Sequence, residues 1–136
     1  MKVTTHLVND YTYRSVNETG NEVMIDMLPP EAKQHQSPTQ LVLSAVGACA
    51  AVDIVQMLRK KRKTVNDLVI ESEGTRREEH PRAFTNIDIT FTLHSPDTDL
   101  DTFEKVVTLA VEKYCSVASS LTGNVNIQHF AKIIAS

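Results

Sequence analysis

The stretch SPTQLVLSAVGACAAVDIVQMLRKK, residues 37–61, decides the fold. Ser37 is a helix-capping residue. Pro38 suits the first helical position, where its missing N–H has no partner to lose, and Gln40 completes a reciprocal capping box. From these the sequence predicts a helix running to about Lys61. Its middle is apolar on nearly every face, which predicts a central, buried helix. Ser44, Ala45, Gly47, Ala48, Ala50 and Ala51 are small and invite close approach by a partner helix. Such packing offsets the ~0.5–1 kcal/mol that a mid-helix glycine costs relative to alanine. The cations Arg59 to Lys63 follow, at the negative end of the helix dipole. Leu41 to Leu58 approaches the length of a membrane span. Asp53 and Gln56 interrupt it, and a charge at mid-bilayer is costly, so a core helix is expected instead.

Upstream, Val3, Thr5 and Leu7 alternate with Lys2, Thr4 and His6. Asn9-Asp10 marks a turn, a strand follows from Tyr11 to Val16, and Thr19-Gly20-Asn21 turns the chain into Val23, Ile25 and Met27. This reads as a β-meander ended by Pro29-Pro30. Downstream, a strand over Val69 to Thr75 precedes a clearer one over Phe84 to His94. The latter places Ile87, Ile89, Phe91 and Leu93 on one face. Ser95-Pro96-Asp97 starts a second helix with Leu100, Phe103, Val107, Ala110, Val111 and Tyr114 as its apolar stripe. A short helix from Ser116 to Thr122 ends at Gly123. Val125 to Ile133 is a final strand. The order βββ-α-ββ-αα-β predicts an α+β fold, not a doubly wound parallel sheet.

The 136 residues fit one domain, 1–136, with a core of aliphatic side chains, because Trp is absent and aromatics are 5%. A net charge of −3 supplies no global field to attract nucleic acid. The run Arg59 to Lys63 lacks interleaved aromatics and reads as a solvated helix end. The N-terminus has no signal-peptide pattern, so a reducing, cytoplasmic setting is expected, where a permanent structural disulfide is disfavoured. No phosphate loop, dinucleotide fingerprint or serine-nucleophile elbow is present. His6, His35, His80, His94 and His129 show no metal-site spacing, so no metal is expected.

The residues left to carry chemistry are the two cysteines. On the predicted helix, Cys49 reads either as a small core hydrophobe or as a nucleophile, and the second role requires positive charge nearby. Cys115 opens the short helix, where a helix N-terminus lowers a thiol pKa. A buried joint between two helices is the competing reading. Their separation fits neither a C-x-x-C redox motif nor zinc spacing. Asp53, one turn beyond Cys49, calls for a partner if buried, with structural pairing the default.

Ser37-Pro38-Thr39-Gln40-Leu41 followed by Gly47-Ala48-Cys49 resembles the first cysteine motif of the OsmC/Ohr family. Glu112-Lys113-Tyr114-Cys115-Ser116-Val117 resembles the second. The segment from Arg76 to Phe91, with Pro81-Arg82-Ala83-Phe84-Thr85, is similar to the YhfA-like branch. The resemblance spans the chain in order. It implies an intertwined homodimer in which two long helices pack centrally and sheets of both chains wrap them. It implies a thiol peroxidase of the oxidative stress response, without metal or organic cofactor. In that role Cys49 attacks an organic hydroperoxide, Cys115 resolves the sulfenic acid to a disulfide, and an external dithiol restores the pair. Neither nucleic acid nor membrane is an implied partner. The family's peroxidases carry Glu where this chain has Thr39, and that Glu holds an N-terminal Arg over the thiolate. Arg14 is the only arginine of the N-terminal strands. An apolar-ligand-binding or redox-sensing dimer of the same fold is the alternative that Thr39 leaves open.

Overall fold

A computed structural model describes all 136 residues, which divide into two compact units, Met1–Val42 and Leu43–Ser136. The first unit is an antiparallel meander of β1 (Val3–Asn9), β2 (Thr12–Asn17) and β3 (Glu22–Asp26), as the alternation predicts. A 3-10 turn, Pro30–Ala32, and the start of α1 (Pro38–Lys60) complete it. The capping box forms: Gln40 N–H donates to Ser37 Oγ at 3.2 Å, and Ser37 N–H donates to Gln40 Oε1 at 2.9 Å.

Asp26, fully buried, organises the loop between β3 and α1. Its carboxylate accepts from the Lys33 ammonium and from the backbone N–H groups of Gln34 (2.8 Å), His35 (2.7 Å) and Leu28 (3.3 Å). Burial pushes the Asp26 pKa up. The Lys33 ammonium and the three N–H groups outweigh it and hold the carboxyl well below the usual range.

The second unit is a mixed sheet, order β4-β5-β6, with β4 (Asp67–Arg76) antiparallel to β5 (Phe84–His94) and β6 (Asn126–Ile134) parallel to it. Ile87, Ile89, Phe91 and Leu93 of β5 are fully buried on the predicted face. Val46, Ala50, Ile54 and Leu58 of α1 and Phe103, Val106, Val107 and Ala110 from α2 (Leu100–Leu109) and the turn after it join them in one core. The observed element order is the predicted one with an added 3-10 turn and an added π-helical turn.

Three expectations are corrected. First, α1 is not buried on every face. It is long and apolar enough to cross a membrane by length and composition, yet only 28% of its most apolar window is buried. Ser44, Ala45, Ala48, Val52 and Gln56 face outward, because within one chain a sheet covers a single side of the helix. Second, Gly47 meets a strand, not a helix. A Cβ there would lie 2.9 Å from Ile70 Cγ2 and 3.0 Å from Ser72 Oγ of β4. Third, α2 starts later than Ser95-Pro96-Asp97. Asp99 caps it, accepting from Thr102 N–H at 2.7 Å. The Asp97 carboxylate is already engaged by the Thr64 N–H (2.8 Å) and hydroxyl (2.9 Å).

The end of α1 follows the expected logic. Lys63 N–H reaches Leu58 C=O at 2.9 Å and Arg62 N–H reaches Arg59 C=O at 2.9 Å, with Arg62 left-handed at φ 60°. This is a Schellman closure built on a non-glycine residue.

Gly74 of β4 is covered by Phe84, whose ring atoms would lie 2.3 and 2.7 Å from an added Cβ. Gly74→Ala is therefore expected to destabilise by about 1–3 kcal/mol, from displacement of a half-buried ring. The loss should exceed that of Gly47→Ala, where the overlap is smaller, 2.9 Å from Ile70 Cγ2 and 3.0 Å from Ser72 Oγ, and helix propensity improves. Urea unfolding of the two variants checks the order. Asp26 yields a second expectation. A carboxyl whose folded pKa is depressed contributes stability that is complete above its unfolded value of 3.8 and is lost as pH falls below it. Unfolding midpoints followed from pH 7 to pH 2.5 should drop below about pH 4 in the parent and change less steeply in Asp26→Asn. Equal slopes would remove Asp26 from that role.

Candidate functional site

The sequence places Cys49 about three turns into α1 and Cys115 between two helices, and the second unit brings their thiols together. Cys49 is half-buried and packs against the core, whereas Cys115 is 3% exposed; both are free. The Cys115 Sγ lies 3.9 Å from the Val46 carbonyl of α1 and accepts from Ala118 N–H at 3.3 Å. It thus caps the short helix α3 (Ser116–Leu121) with a sulfur in place of the usual oxygen.

How Cys115 comes to face inward was not foreseen. The residues between α2 and α3, Ala110–Tyr114, form a π-helical turn. A π turn holds one more residue than an α turn. Ala110 therefore aligns with Cys115, five residues on, instead of with Tyr114. Both Ala110 and Cys115 are buried, and Tyr114 is 51% exposed. This corrects the expected stripe, which placed Tyr114 in the core. At its other end Leu100 is 46% exposed, because Asp99, not a residue of an earlier turn, starts the helix.

Electrostatically Cys115 is pulled both ways. Burial raises its pKa most strongly, and the neighbouring Cys49 thiol raises it further. The Ala118 and Val117 N–H groups lower it without prevailing. The expected lowering by the α3 N-terminus is present but is the smaller effect. No cation is among these influences.

Asp53 sits half-buried on α1 and takes part in none of the ion pairs of the chain. Arg14 and Thr39 belong to the other compact unit. Arg14, on β2, is exposed and pairs with Glu22 at 3.4 Å. The Thr39 hydroxyl lies 3.3 Å from Ser37 Oγ.

A residue that spacing did not single out lies beside the thiol pair. His129 alternates with Ile127, Ala131 and Ile133 on the covered face of β6, and its Nε2 lies 2.7 Å from Glu112 Oε2 in the π turn. A histidine among apolar residues of a strand face was the available signal. Glu112 also borders an open cleft of about 860 Å³ with Val111, Ala118 and Asn126.

The raised Cys115 pKa implies slow alkylation near neutrality. In Cys49→Ser, the iodoacetamide rate at Cys115 should rise with an inflection above that of free cysteine. An inflection at or below the free-cysteine value would mean that burial does not dominate.

With this geometry in view, comparisons with known proteins converge. The family described as OsmC-like protein matches residues 31–130. Protein YhfA of Escherichia coli K12 is 35% identical over 128 residues, covering 94% of each chain. The crystal structure of a hypothetical protein from Aquifex aeolicus VF5 superposes with a TM-score of 0.86 at 28% identity, covering 98% of this chain and 95% of that one. The organic hydroperoxide resistance protein OhrB of Bacillus subtilis shares the fold, with a TM-score of 0.68 at 18% identity and coverage of 97% and 98%.

Proposed function

The chain belongs to the OsmC-like protein family, and on that premise we propose that it is a thiol-dependent peroxidase reducing organic hydroperoxides in an oxidative stress response. The observation that carries this reading is the adjacency of the half-buried Cys49 thiol and the buried Cys115 thiol. Similarity of fold to a protein named for organic hydroperoxide resistance supports it.

Within the chain, the bonds of the cycle are made and broken at the two sulfurs. The Cys49 thiolate attacks the outer peroxide oxygen, the O–O bond breaks, and the alcohol leaves with a proton. Cys49 becomes a sulfenic acid. Cys115 sulfur then displaces its hydroxyl as water, forming the disulfide. An external dithiol exchanges with that disulfide and leaves both cysteines reduced. No cofactor enters. Arg14 is the cation we assign to the Cys49 thiolate, with Thr39 and Asp53 supporting the site.

We further propose that residues 1–136 act as one domain in a cytoplasmic homodimer. The open side of α1, with Ala45, Ala48 and Val52, and the wholly exposed β1, with Val3 and Leu7, leave apolar surface that a second copy would cover. The reading includes neither nucleic acid nor a membrane as partner. One observation favours a second reading, an apolar-ligand-binding or redox-sensing dimer: the hydroxyl of Thr39 supplies no charge to hold a guanidinium in place.

Stopped-flow mixing with cumene hydroperoxide separates the two. Peroxidase chemistry predicts thiol loss well above the rate of free cysteine, no turnover in Cys49→Ser, and a sulfenic acid trapped by dimedone in Cys115→Ser. Reaction of Cys49 no faster than free cysteine would sink the peroxidase and leave the second reading.

A further inference from the structure

We propose that Glu112 and His129 form a latch that holds the π-helical turn and so keeps Cys115 aimed at Cys49, making both positioning residues for the thiol pair. The inference rests on the reading of Cys49 and Cys115 as a redox couple and adds a device that controls it.

A π turn is a rare, one-residue overfilling of a helix and persists only where its surroundings hold it. If Ala110–Tyr114 relaxed to α geometry, Tyr114 would fall in line with Ala110. Cys115 would then rotate by about a quarter turn, away from the core. The buried residues at the start of the turn do not select against this. Phe103, Val106, Val107, Ala110 and Val111 keep helical spacing in either form. On its exposed side, Lys113 and Tyr114 contact each other, with Lys113 Nζ 5.6 Å from the ring centre.

One polar side-chain contact ties residues 110–114 to a different element of the fold. It is the 2.7 Å contact between Glu112 Oε2 and His129 Nε2. Its far end is firmly placed, because His129 sits in β6 in register with fully buried Ile89 of β5. The His129 side chain is 20% exposed and Glu112 62%, so the contact is partly shielded from water on the histidine side. Glu104 borders the same small cleft as His129, and the structure pairs the histidine with Glu112 instead. The latch sits three residues before Cys115, where a shift in the turn passes directly to the sulfur.

The test is the equilibrium of the thiol pair with glutathione. Formation of the Cys49–Cys115 disulfide converts one glutathione disulfide to two glutathiones, so atoms and electrons balance. Quenched mixtures analysed by mass spectrometry give the equilibrium constant. Glu112→Ala and His129→Ala are each expected to lower it at least tenfold, and the double variant to lower it no further. Glu112→Gln, which keeps an acceptor for His129, should stay within about threefold of the parent. Amide hydrogen exchange over residues 111–115 should quicken in both Ala variants and not in Glu112→Gln. A packing role alone would lower the melting temperature while leaving the equilibrium constant within twofold, and that result overturns the latch. If the parent forms no disulfide at all, the peroxidase cycle fails separately. The exchange rates over residues 111–115 then decide the latch, with unchanged protection in His129→Ala refuting it.

Discussion

The second unit depends on how closely α1 approaches β4 at Gly47. With no side chain at that position, Ile70 and Ser72 fill the space that a Cβ would take. The approach sinks Val46 and Ala50 into the core and brings the backbone carbonyl of Val46 to the Cys115 sulfur. Cys49, two residues along the helix, is left at the margin of that core, half-buried beside the second thiol. A larger residue at 47 would lift the helix and separate the groups that meet there, because close-packed interiors transmit displacement.

The two sulfurs then occupy unlike environments. Cys115 is enclosed, holds its proton through burial and the neighbouring thiol, and receives two backbone N–H groups that reduce this tendency without reversing it. Cys49 keeps a solvent-facing side. In the proposed peroxidase cycle this asymmetry would let the outer thiol meet substrate first and the enclosed one act second.

Charge elsewhere is concentrated in short clamps that join loops. Asp26 gathers four donors over the loop before α1, and Asp97 ties the start of β4's approach to the segment after β5 through Thr64. Each is a carboxylate held below its usual range by hydrogen bonds, so both assist the folded chain at neutral pH. Apolar surface, by contrast, is left uncovered along α1 and β1. Apolar surface of this kind is what the proposed homodimer would cover.

The sequence by itself determined what local physics controls. The capping box at Ser37 and Gln40, the period-two alternation over Phe84 to His94, and the turn residues of the meander each act within a few residues, and each formed as read. It also marked Cys49 and Cys115 as the residues worth following. Asp26 and His129 were not legible as partners, because Lys33 and Glu112 reach them through loop and sheet geometry that spacing does not encode. The π turn was missed for a related reason. An α-helix through Tyr114 satisfies the same apolar stripe, and the contact that ties the turn to His129 exists only once the folded chain has placed β6 beside it. Which side of α1 is buried was likewise beyond a helix apolar all round, since periodicity cannot choose among equivalent faces. Tertiary structure made that choice through the one position where the backbone could come close enough to a strand.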